Sequence, residues 1–269
     1  MSLCLIAGQG RLPRLIAERR PDAHLAALEG FAPDGLGPVE SFRLETLGTF
    51  LAGLRARGVD TVCFAGAIQR PSVDPSRIDA ATLPLVPRIA AAMGQGDDAA
   101  LRAVLATFEE AGIAPVGADA ILPDLLPPEG VLGAIAPDDT ARKDAVRGME
   151  VVSRLGAADI GQGCVVARGQ VLAVEALPGT DWMLASLAAA RGDGALARDL
   201  PAGGTFVKAP KPGQDRRIDL PTIGIETVAA ASRAGLSGIT IAAGGVLVLD
   251  REALVAEADA AGLFVWIRG

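Results

Sequence analysis

The chain has 269 residues and a formal net charge of −7, and half of its residues are hydrophobic although only 3% are aromatic. This length leaves room for two modest domains, and the acidic balance argues against nucleic-acid binding, which needs a basic surface. No apolar run is long enough to span a bilayer, and the opening residues lack the charged start of a signal peptide. We therefore expect a soluble, cytoplasmic protein.

The first half of the chain alternates predicted strands with predicted helices. Apolar runs predict strands at 3–7, 24–28, 59–65 and 114–116, and helical patterns cover 13–20, 46–57, 83–93 and 97–111. Strands separated by helices of this length are typical of a parallel sheet covered on both faces. We predict an α/β fold in which residues 1–130 form a Rossmann-like, nucleotide-binding-like domain.

The second half is richer in strands. Residues 123–137 contain prolines and glycines without a clear period, which predicts a linker. Strands are predicted at 164–167, 170–176, 205–209, 239–241, 246–249 and 263–267, and helices at 138–155, 180–190, 223–234 and 251–261. The first two of these strands flank Arg168-Gly169 as in a hairpin. We predict a mixed α/β catalytic domain over residues 138–269.

The three cysteines are predicted to pack in the protein interior. Cys4, Cys63 and Cys164 each lie in an apolar run, and none has metal-ligand spacing. Buried, reduced thiols are the expected outcome.

The most unusual segment runs from residue 208 to 224. Its charged residues are Lys208, Lys211, Asp215, Arg216, Arg217 and Asp219, and its prolines are Pro210, Pro212 and Pro221. Proline fixes φ and removes a backbone donor, so we predict a stiff loop and not a helix interior or a central strand. Cations can hold phosphate oxygens, and a carboxylate can bind a metal or orient water. The segment therefore indicates an anionic ligand.

Two acidic sites and one glycine turn leave alternatives open. Gly8-Gln9-Gly10 follows the first predicted strand, where backbone amides can approach a phosphate or can simply make a turn. Asp97 and Asp98 precede a helix, where they favour capping but could also bind a cation. Glu175 closes an apolar run and must be solvated or paired.

Several motifs together resemble the LpxI-type UDP-2,3-diacylglucosamine pyrophosphatase family. They are Leu5-Ile-Ala-Gly-Gln-Gly-Arg-Leu-Pro13, Cys63-Phe-Ala-Gly66, Gly96-Asp-Asp98, Asp159-Ile-Gly-Gln-Gly163, Val171-Leu-Ala-Val-Glu-Ala176, Gly179-Thr-Asp181, Lys208-Ala-Pro-Lys-Pro212 and Asp219-Leu-Pro-Thr-Ile-Gly224. The resemblance runs nearly end to end. It departs at Gln9, where a third glycine is expected, and at Gln95, where a basic residue is common.

The resemblance implies hydrolysis of the pyrophosphate of UDP-2,3-diacylglucosamine to 2,3-diacylglucosamine 1-phosphate (lipid X) and UMP, a step of lipid A biosynthesis. It implies a Mg²⁺ (magnesium) cofactor, two domains with a substrate cleft between them, and a lipid-linked nucleotide-sugar substrate. We expect transient contact with the inner-membrane surface from the cytoplasmic side. A monomer and a homodimer both stay open.

The resemblance also implies site residues. The expected catalytic residues are Asp219, Lys208 and Lys211; the expected substrate-binding residues are Gly8, Gly10, Gln162, Glu175, Thr180, Asp181 and Thr222; the expected metal ligands are Asp219, Asp97 and Asp98.

Two other functions remain open from the residues alone. Gly8 and Gly10, with Glu29 about twenty residues on, favour an NAD(P)-dependent oxidoreductase, although Pro13 replaces the third glycine of that fingerprint. A non-catalytic nucleotide-sugar or lipid carrier is the second alternative.

Overall fold

A computed structural model describes residues 2–68, 71–94, 97–194, 197–218 and 220–269, without the side chains of Asp97 and Asp98. The chain divides into two compact units. The N-terminal unit contains Met1–Pro123 and Asp215–Asp219, and the C-terminal unit contains Asp124–Gln214 and Leu220–Gly269.

The N-terminal unit is built on a parallel sheet. Its strands are β1 (Leu3–Ala7), β2 (His24–Leu28), β3 (Glu40–Phe42), β4 (Thr61–Ala65) and β5 (Ala114–Val116). Neighbouring strands all pair in parallel, in the order β3-β2-β1-β4-β5. This is the strand order of the doubly wound, Rossmann-like sheet. The predicted Rossmann-like parallel sheet is therefore confirmed.

Helices of the same unit cover this sheet. They are α1 (Leu12–Arg19), α2 (Leu47–Ala56), α3 (Val86–Met93), α4 (Asp97–Glu110) and α5 (Ala118–Ile121). The core joins strand residues such as Ile6 to helix residues such as Leu54 and Phe108. Phe42 of β3 stacks on Phe50 of α2 with ring centroids 4.1 Å apart. These strand and helix side chains therefore share one core.

The C-terminal unit is built on a mixed sheet. Its strands are β6 (Gly130–Leu132), β7 (Gly163–Ala167), β8 (Gln170–Val174), β9 (Thr205–Lys208), β11 (Gly238–Ala242) and β13 (Phe264–Arg268). Two further strands, β10 (Thr222–Ile223) and β12 (Leu247–Val248), form a separate parallel pair. The sheet order is β6-β13-β11-β9-β7-β8. β9, β11 and β13 pair in parallel, whereas β7 is antiparallel to β8 and β9. The predicted mixed α/β arrangement is confirmed.

The described helices of this unit are α6 (Asp139–Ala157), α7 (Gly179–Gly192), α8 (Ile225–Arg233) and α9 (Arg251–Ala260). α6 lies close to β9 because Gly148 has no side chain there; a Cβ would lie 2.4 Å from Val207 Cγ2. Of the described helices, none combines the length and apolarity needed to cross a membrane.

The predicted hairpin is confirmed, and a buried carboxylate holds its turn. Arg168 and Gly169 both have positive φ, as a two-residue type I′ turn requires. The Asp144 carboxylate of α6 accepts hydrogen bonds from the Arg168 and Gly169 amides at 2.9 and 2.7 Å. One side chain therefore ties α6 to the turn between β7 and β8.

Two predictions about elements are wrong. The predicted linker 123–137 contains β6, which pairs antiparallel with β13. The strand was missed because it lies among prolines and glycines, which are typical of loops. Residues 222–223, predicted in part as helix, form β10. Lys208 belongs to both the predicted strand 205–209 and the predicted loop 208–224; it is the last residue of β9, so the strand prediction is confirmed there, and the prolines begin only at Pro210.

The cysteine prediction is confirmed. All three are buried free thiols, and burial raises the pKa of each to about 12. They are inert at neutral pH because only the thiolate is reactive.

Candidate active site

The C-terminal unit gathers polar groups at the carboxyl ends of β8 and β9. Both strands are antiparallel to β7, so they run in the same direction and end at the same edge. Lys208 is the last residue of β9, and Glu175 directly follows β8. Ligands of α/β sheets bind outside the carboxyl ends of strands, so this edge is the place to look for a site.

Lys208, Thr180 and Glu175 form a buried lysine–threonine–glutamate cluster at this edge. Lys208 is 6% exposed and Glu175 is 7% exposed. Lys208 Nζ donates a hydrogen bond to Thr180 Oγ1 at 2.6 Å, and Thr180 Oγ1 donates to Glu175 Oε2 at 2.9 Å. Lys208 Nζ lies 3.6 Å from Glu175 Oε2, beyond direct hydrogen-bonding distance. The Glu175 carboxylate therefore compensates a buried cation, as burial of a charge requires.

Two glycines make room for Glu175. A Cβ at Gly161 would lie 2.1 Å from the Glu175 backbone oxygen, and one at Gly163 would lie 2.5 Å from Glu175 Oε2. The Glu175 amide donates to the Gly163 carbonyl at 2.8 Å. The Gly161-Gln162-Gly163 segment is thus shaped around this carboxylate.

Gln162 lies between these glycines and brings an unsatisfied group to the same edge. Its Oε1 atom is buried and has no hydrogen-bond partner among the residues that the structure describes. Its backbone carbonyl accepts from the Ala209 amide at 3.1 Å. Leaving a buried acceptor unpaired costs about 1–3 kcal/mol, so such a group indicates a missing partner, and a ligand donor can supply it.

The loop that follows β9 is fixed against two other glycines. A Cβ at Gly156 would lie 2.7 Å from Pro212 Cδ, and one at Gly245 would lie 2.8 Å from Pro210 Cδ. Lys211 Nζ pairs with Asp159 Oδ1 at 2.7 Å. The prolines and this ion pair place a second lysine, one-quarter exposed, three positions after Lys208.

Asp215 and Arg217 have a structural role within the N-terminal unit. The Arg217 guanidinium donates to Asp215 and, at 2.6 Å, to Glu109 of α4. These bonds raise the pKa of Arg217 and lower that of Asp215. The charges of both residues are therefore used in holding this part of the motif.

Two further predicted substrate residues lie elsewhere in the C-terminal unit. Asp181 is exposed in the first turn of α7 and lines a groove of about 290 Å³ with Glu226 and Arg233 of α8. Thr222 is in β10, paired with Leu247 of β12.

The glycine turn of the N-terminal unit uses its backbone within the fold. β1 and β4 are neighbours where the strand order reverses, which is the usual ligand position in such sheets. However, the Gly8 amide donates to Ala65 O at 2.7 Å and the Gln9 amide to Ala67 O at 2.8 Å. Gly10, with φ at 107°, adopts a conformation that favours glycine. Two backbone amides of this turn are therefore already used in hydrogen bonds within the fold.

Gln9, which departs from the family pattern, also has a place in this turn. Its side-chain amide donates to Phe31 O at 3.2 Å and Ala32 O at 2.9 Å. A glycine could not make these bonds.

The predicted metal ligands lie largely outside what is described. Asp219 lies outside the described residues, and so do the side chains of Asp97 and Asp98, whose backbones begin α4. Among the side chains that are described, no group of three or more His, Cys, Asp or Glu residues could hold a metal ion.

Comparison with known proteins identifies the family. Residues 2–125 match the LpxI N-terminal domain, and residues 128–266 match the LpxI C-terminal domain. A curated UDP-2,3-diacylglucosamine pyrophosphatase LpxI of Caulobacter vibrioides is 43% identical over 278 residues, covering 98% of this chain and 96% of the relative. The chain belongs to the LpxI family. The resemblance inferred from the motifs is confirmed.

Some features of this LpxI-family site were not found from the sequence. Thr180, expected as a substrate-binding residue, bridges two buried charges. The pairing of Asp159 with Lys211 joins positions 52 residues apart. The only sequence signal for either contact is that each residue lies in a glycine- or proline-rich motif, which does not name its partner.

Proposed function

We propose that this protein hydrolyses the pyrophosphate bond of UDP-2,3-diacylglucosamine, giving 2,3-diacylglucosamine 1-phosphate and UMP. The observation that carries the proposal is the 43% identity, over nearly the whole length of both chains, to a UDP-2,3-diacylglucosamine pyrophosphatase. The arrangement at the ends of β8 and β9 supports it, because a fixed lysine at a sheet edge suits a phosphorylated ligand.

The proposed chemistry needs negative charge to be stabilised as water attacks phosphorus. Preorganised cations are effective here since they need no reorganisation when charge develops. Lys208 is held by Thr180, and Lys211 is held by Asp159, so both ammonium groups have defined positions. We assign them to the phosphate oxygens. The Gln162 side-chain oxygen, which has no partner among the residues described, is assigned to a donor on the substrate, such as a hydroxyl or the uracil N–H.

Mg²⁺ is the proposed cofactor, with Asp219, Asp97 and Asp98 as its ligands. Carboxylate oxygens are the donors that Mg²⁺ prefers. Asp215, the other aspartate of the 208–224 motif, is paired with Arg217 and is not assigned to the metal. When bound, Mg²⁺ supplies Lewis acidity at a phosphoryl oxygen.

Transient contact with the cytoplasmic surface of the inner membrane is part of the proposal, because a diacylated substrate resides in a lipid phase. Exposed apolar side chains occur within two positions of site residues. Leu177 is 94% exposed and Trp182 is 56% exposed, next to Glu175 and Thr180 respectively. Tryptophan is favoured at membrane–water interfaces. Homodimer formation stays a prediction.

The test is incubation of the purified chain with UDP-2,3-diacylglucosamine in ¹⁸O-labelled water, with and without Mg²⁺. We expect UMP and the sugar 1-phosphate by mass spectrometry, with one product carrying ¹⁸O, and loss of turnover when the metal is chelated. Stoichiometric binding without product would favour the carrier alternative. Tight NAD binding without binding of a uridine nucleotide would favour the oxidoreductase.

Asp219→Ala tests the assigned catalytic residue. We expect hydrolysis to fall roughly 10²–10⁴-fold with the unfolding temperature unchanged, the scale of a lost acid–base or metal contribution. Asp199→Ala, at an exposed aspartate outside the motifs, is the matched control and should retain full turnover. Near-normal UMP release by Asp219→Ala would remove Asp219 from the mechanism.

A further inference from the structure

The hydrogen-bond direction within the lysine–threonine–glutamate cluster is fixed by chemistry. A lysine ammonium has donors only, so the Thr180 oxygen must accept from Lys208. A threonine hydroxyl has a single proton, and an ionised carboxylate only accepts. The Thr180 proton is therefore directed to Glu175, and the hydroxyl transmits the position of Glu175 to the lysine ammonium.

Glu175 is held by the protein framework. Its backbone amide is bonded to Gly163, and Gly161 and Gly163 leave no spare space beside its backbone oxygen and its carboxylate. The side chain is buried against these neighbours, so its position is set before any ligand arrives. Stability alone is a weak reason for such a pair, since a buried ion pair roughly breaks even against its desolvation cost.

From this geometry we propose that Glu175 is a positioning residue for Lys208, acting through Thr180, and not a direct substrate contact as the sequence indicated. The inference rests on the proposed phosphoryl chemistry. A free lysine side chain samples many rotamers, with roughly 2 kcal/mol of rotamer entropy. A bridge that removes this freedom in advance lets the ammonium stabilise the transition state without reorganisation.

A double-mutant cycle tests the proposal. We expect Glu175→Gln to lower kcat about 10–100-fold, as loss of a supporting residue commonly does, with KM changed less than about threefold. Thr180→Val should behave alike, and Thr180→Ser should recover kcat to within about threefold because it keeps the hydroxyl. In a Lys208→Met background, Glu175→Gln should cost less than about twofold more, since coupled residues are non-additive.

Thr240→Val is the matched control. It removes a buried threonine hydroxyl from the same sheet, one that has no hydrogen-bond partner in the described part of the chain, and should leave kcat unchanged. The proposal would be overturned if Glu175→Gln lowered kcat in the Lys208→Met background by as large a factor as it does in the wild type. A rise in KM at constant kcat would also overturn it, since that would indicate direct substrate contact.

A spectroscopic measurement separates this inference from the proposed function. The ¹⁵N-detected ammonium signal of Lys208 should be protected from solvent exchange in the unliganded wild type and lost in Glu175→Gln and Thr180→Val. An unchanged signal in both variants overturns the positioning role even if hydrolysis is present. Its loss in a protein that releases no UMP would support positioning while the proposed function fails.

Discussion

Residues 8–10 and 161–163 share the sequence Gly-Gln-Gly but differ in what approaches them. After β1, a backbone turn closes against Ala65 and Ala67, and the Gln9 amide binds two backbone carbonyls. Before β7, the glycines receive the buried carboxylate of Glu175, and the Gln162 oxygen stays unpartnered among the described residues. In both tripeptides the glycines let another part of the chain approach the backbone closely. At residues 8–10 this contact closes a backbone turn, whereas at residues 161–163 it accommodates a side chain of the candidate site.

The buried glutamates of the two units differ in the same way. Glu45 of the N-terminal unit is 2% exposed and accepts directly from Arg43 at 2.9 Å and from the Asp74 amide at 2.8 Å. Glu175 Oε2 lies 3.6 Å from Lys208 Nζ and is also linked to it through the Thr180 hydroxyl. Direct pairing satisfies the carboxylate within the fold, whereas the bridged arrangement positions a lysine at a sheet edge.

The largest expected effects separate the two glycine segments. Gly8→Ala places Cβ 2.6 Å from the Ala67 backbone oxygen, and backbone cannot easily yield, so we expect a loss of about 2–3 kcal/mol in the free energy of unfolding. Gly163→Ala meets the Glu175 carboxylate at 2.5 Å and the Phe206 ring at 3.0 Å. A carboxylate can move, so we expect roughly 100-fold lower kcat with a loss of about 1 kcal/mol in stability.

Urea unfolding and UMP release measure both variants. Gly192→Ala is the control, because nothing lies within 4 Å of a Cβ there, and stability should be unchanged or slightly raised. If Gly163→Ala retained wild-type kcat, the two glycine segments would not differ in function as we expect.

Acid unfolding tests the role assigned to Glu45. Its Arg43 hydrogen bond lowers the pKa of this carboxyl from 4.5 to about 2. A lowered folded-state pKa means stability that is present above about pH 4.5 and is lost as the pH falls toward 2. We expect Glu45→Gln to cost on the order of 2–3 kcal/mol at pH 7 and progressively less below pH 4.5.

Urea unfolding of wild type and variant at pH 7, 4 and 3 measures this difference. Glu18→Gln, at an exposed ion pair with Arg11, is the control and should change stability by less than about 1 kcal/mol at every pH. A stability difference for Glu45→Gln that stays constant from pH 7 to 3 would show that this ion pair does not carry the effect.

The parts of the fold that the sequence predicted well are those with strong local signals. β1, β2 and β5 occupy the predicted residues, because each is an apolar run bounded by glycine or another turn residue. β3 was missed and β6 was predicted as linker. β3, with the sequence Glu40-Ser41-Phe42, is not an apolar run, and β6 lies in a proline- and glycine-rich segment; their pairing with β2 and β13 completes them as strands.

The sequence named the members of the lysine–threonine–glutamate cluster but not their arrangement. The motifs identified Lys208, Thr180 and Glu175 as functional candidates, but their convergence depends on β8 and β9 flanking β7 in the sheet. Hydrophobic periodicity carries no information on strand order. For the same reason the residues predicted only that Glu175 is solvated or paired, and the resemblance implied a substrate contact; neither could reveal its coupling to a residue 33 positions away.

The smallest expected effects distinguish the two glutamines, because only the Gln9 substitution is expected to destabilise the fold. Gln9→Leu removes two hydrogen bonds to backbone carbonyls and should cost about 1 kcal/mol in the free energy of unfolding. Gln162→Leu removes a buried oxygen that has no partner in the described residues. The free energy of unfolding should therefore stay the same or rise by up to about 1 kcal/mol. Its kcat/KM should nevertheless fall about tenfold, the effect of one lost ligand hydrogen bond. If Gln162→Leu instead destabilises the fold and leaves kcat/KM unchanged, both glutamines are structural, and the unpartnered oxygen is not a substrate contact.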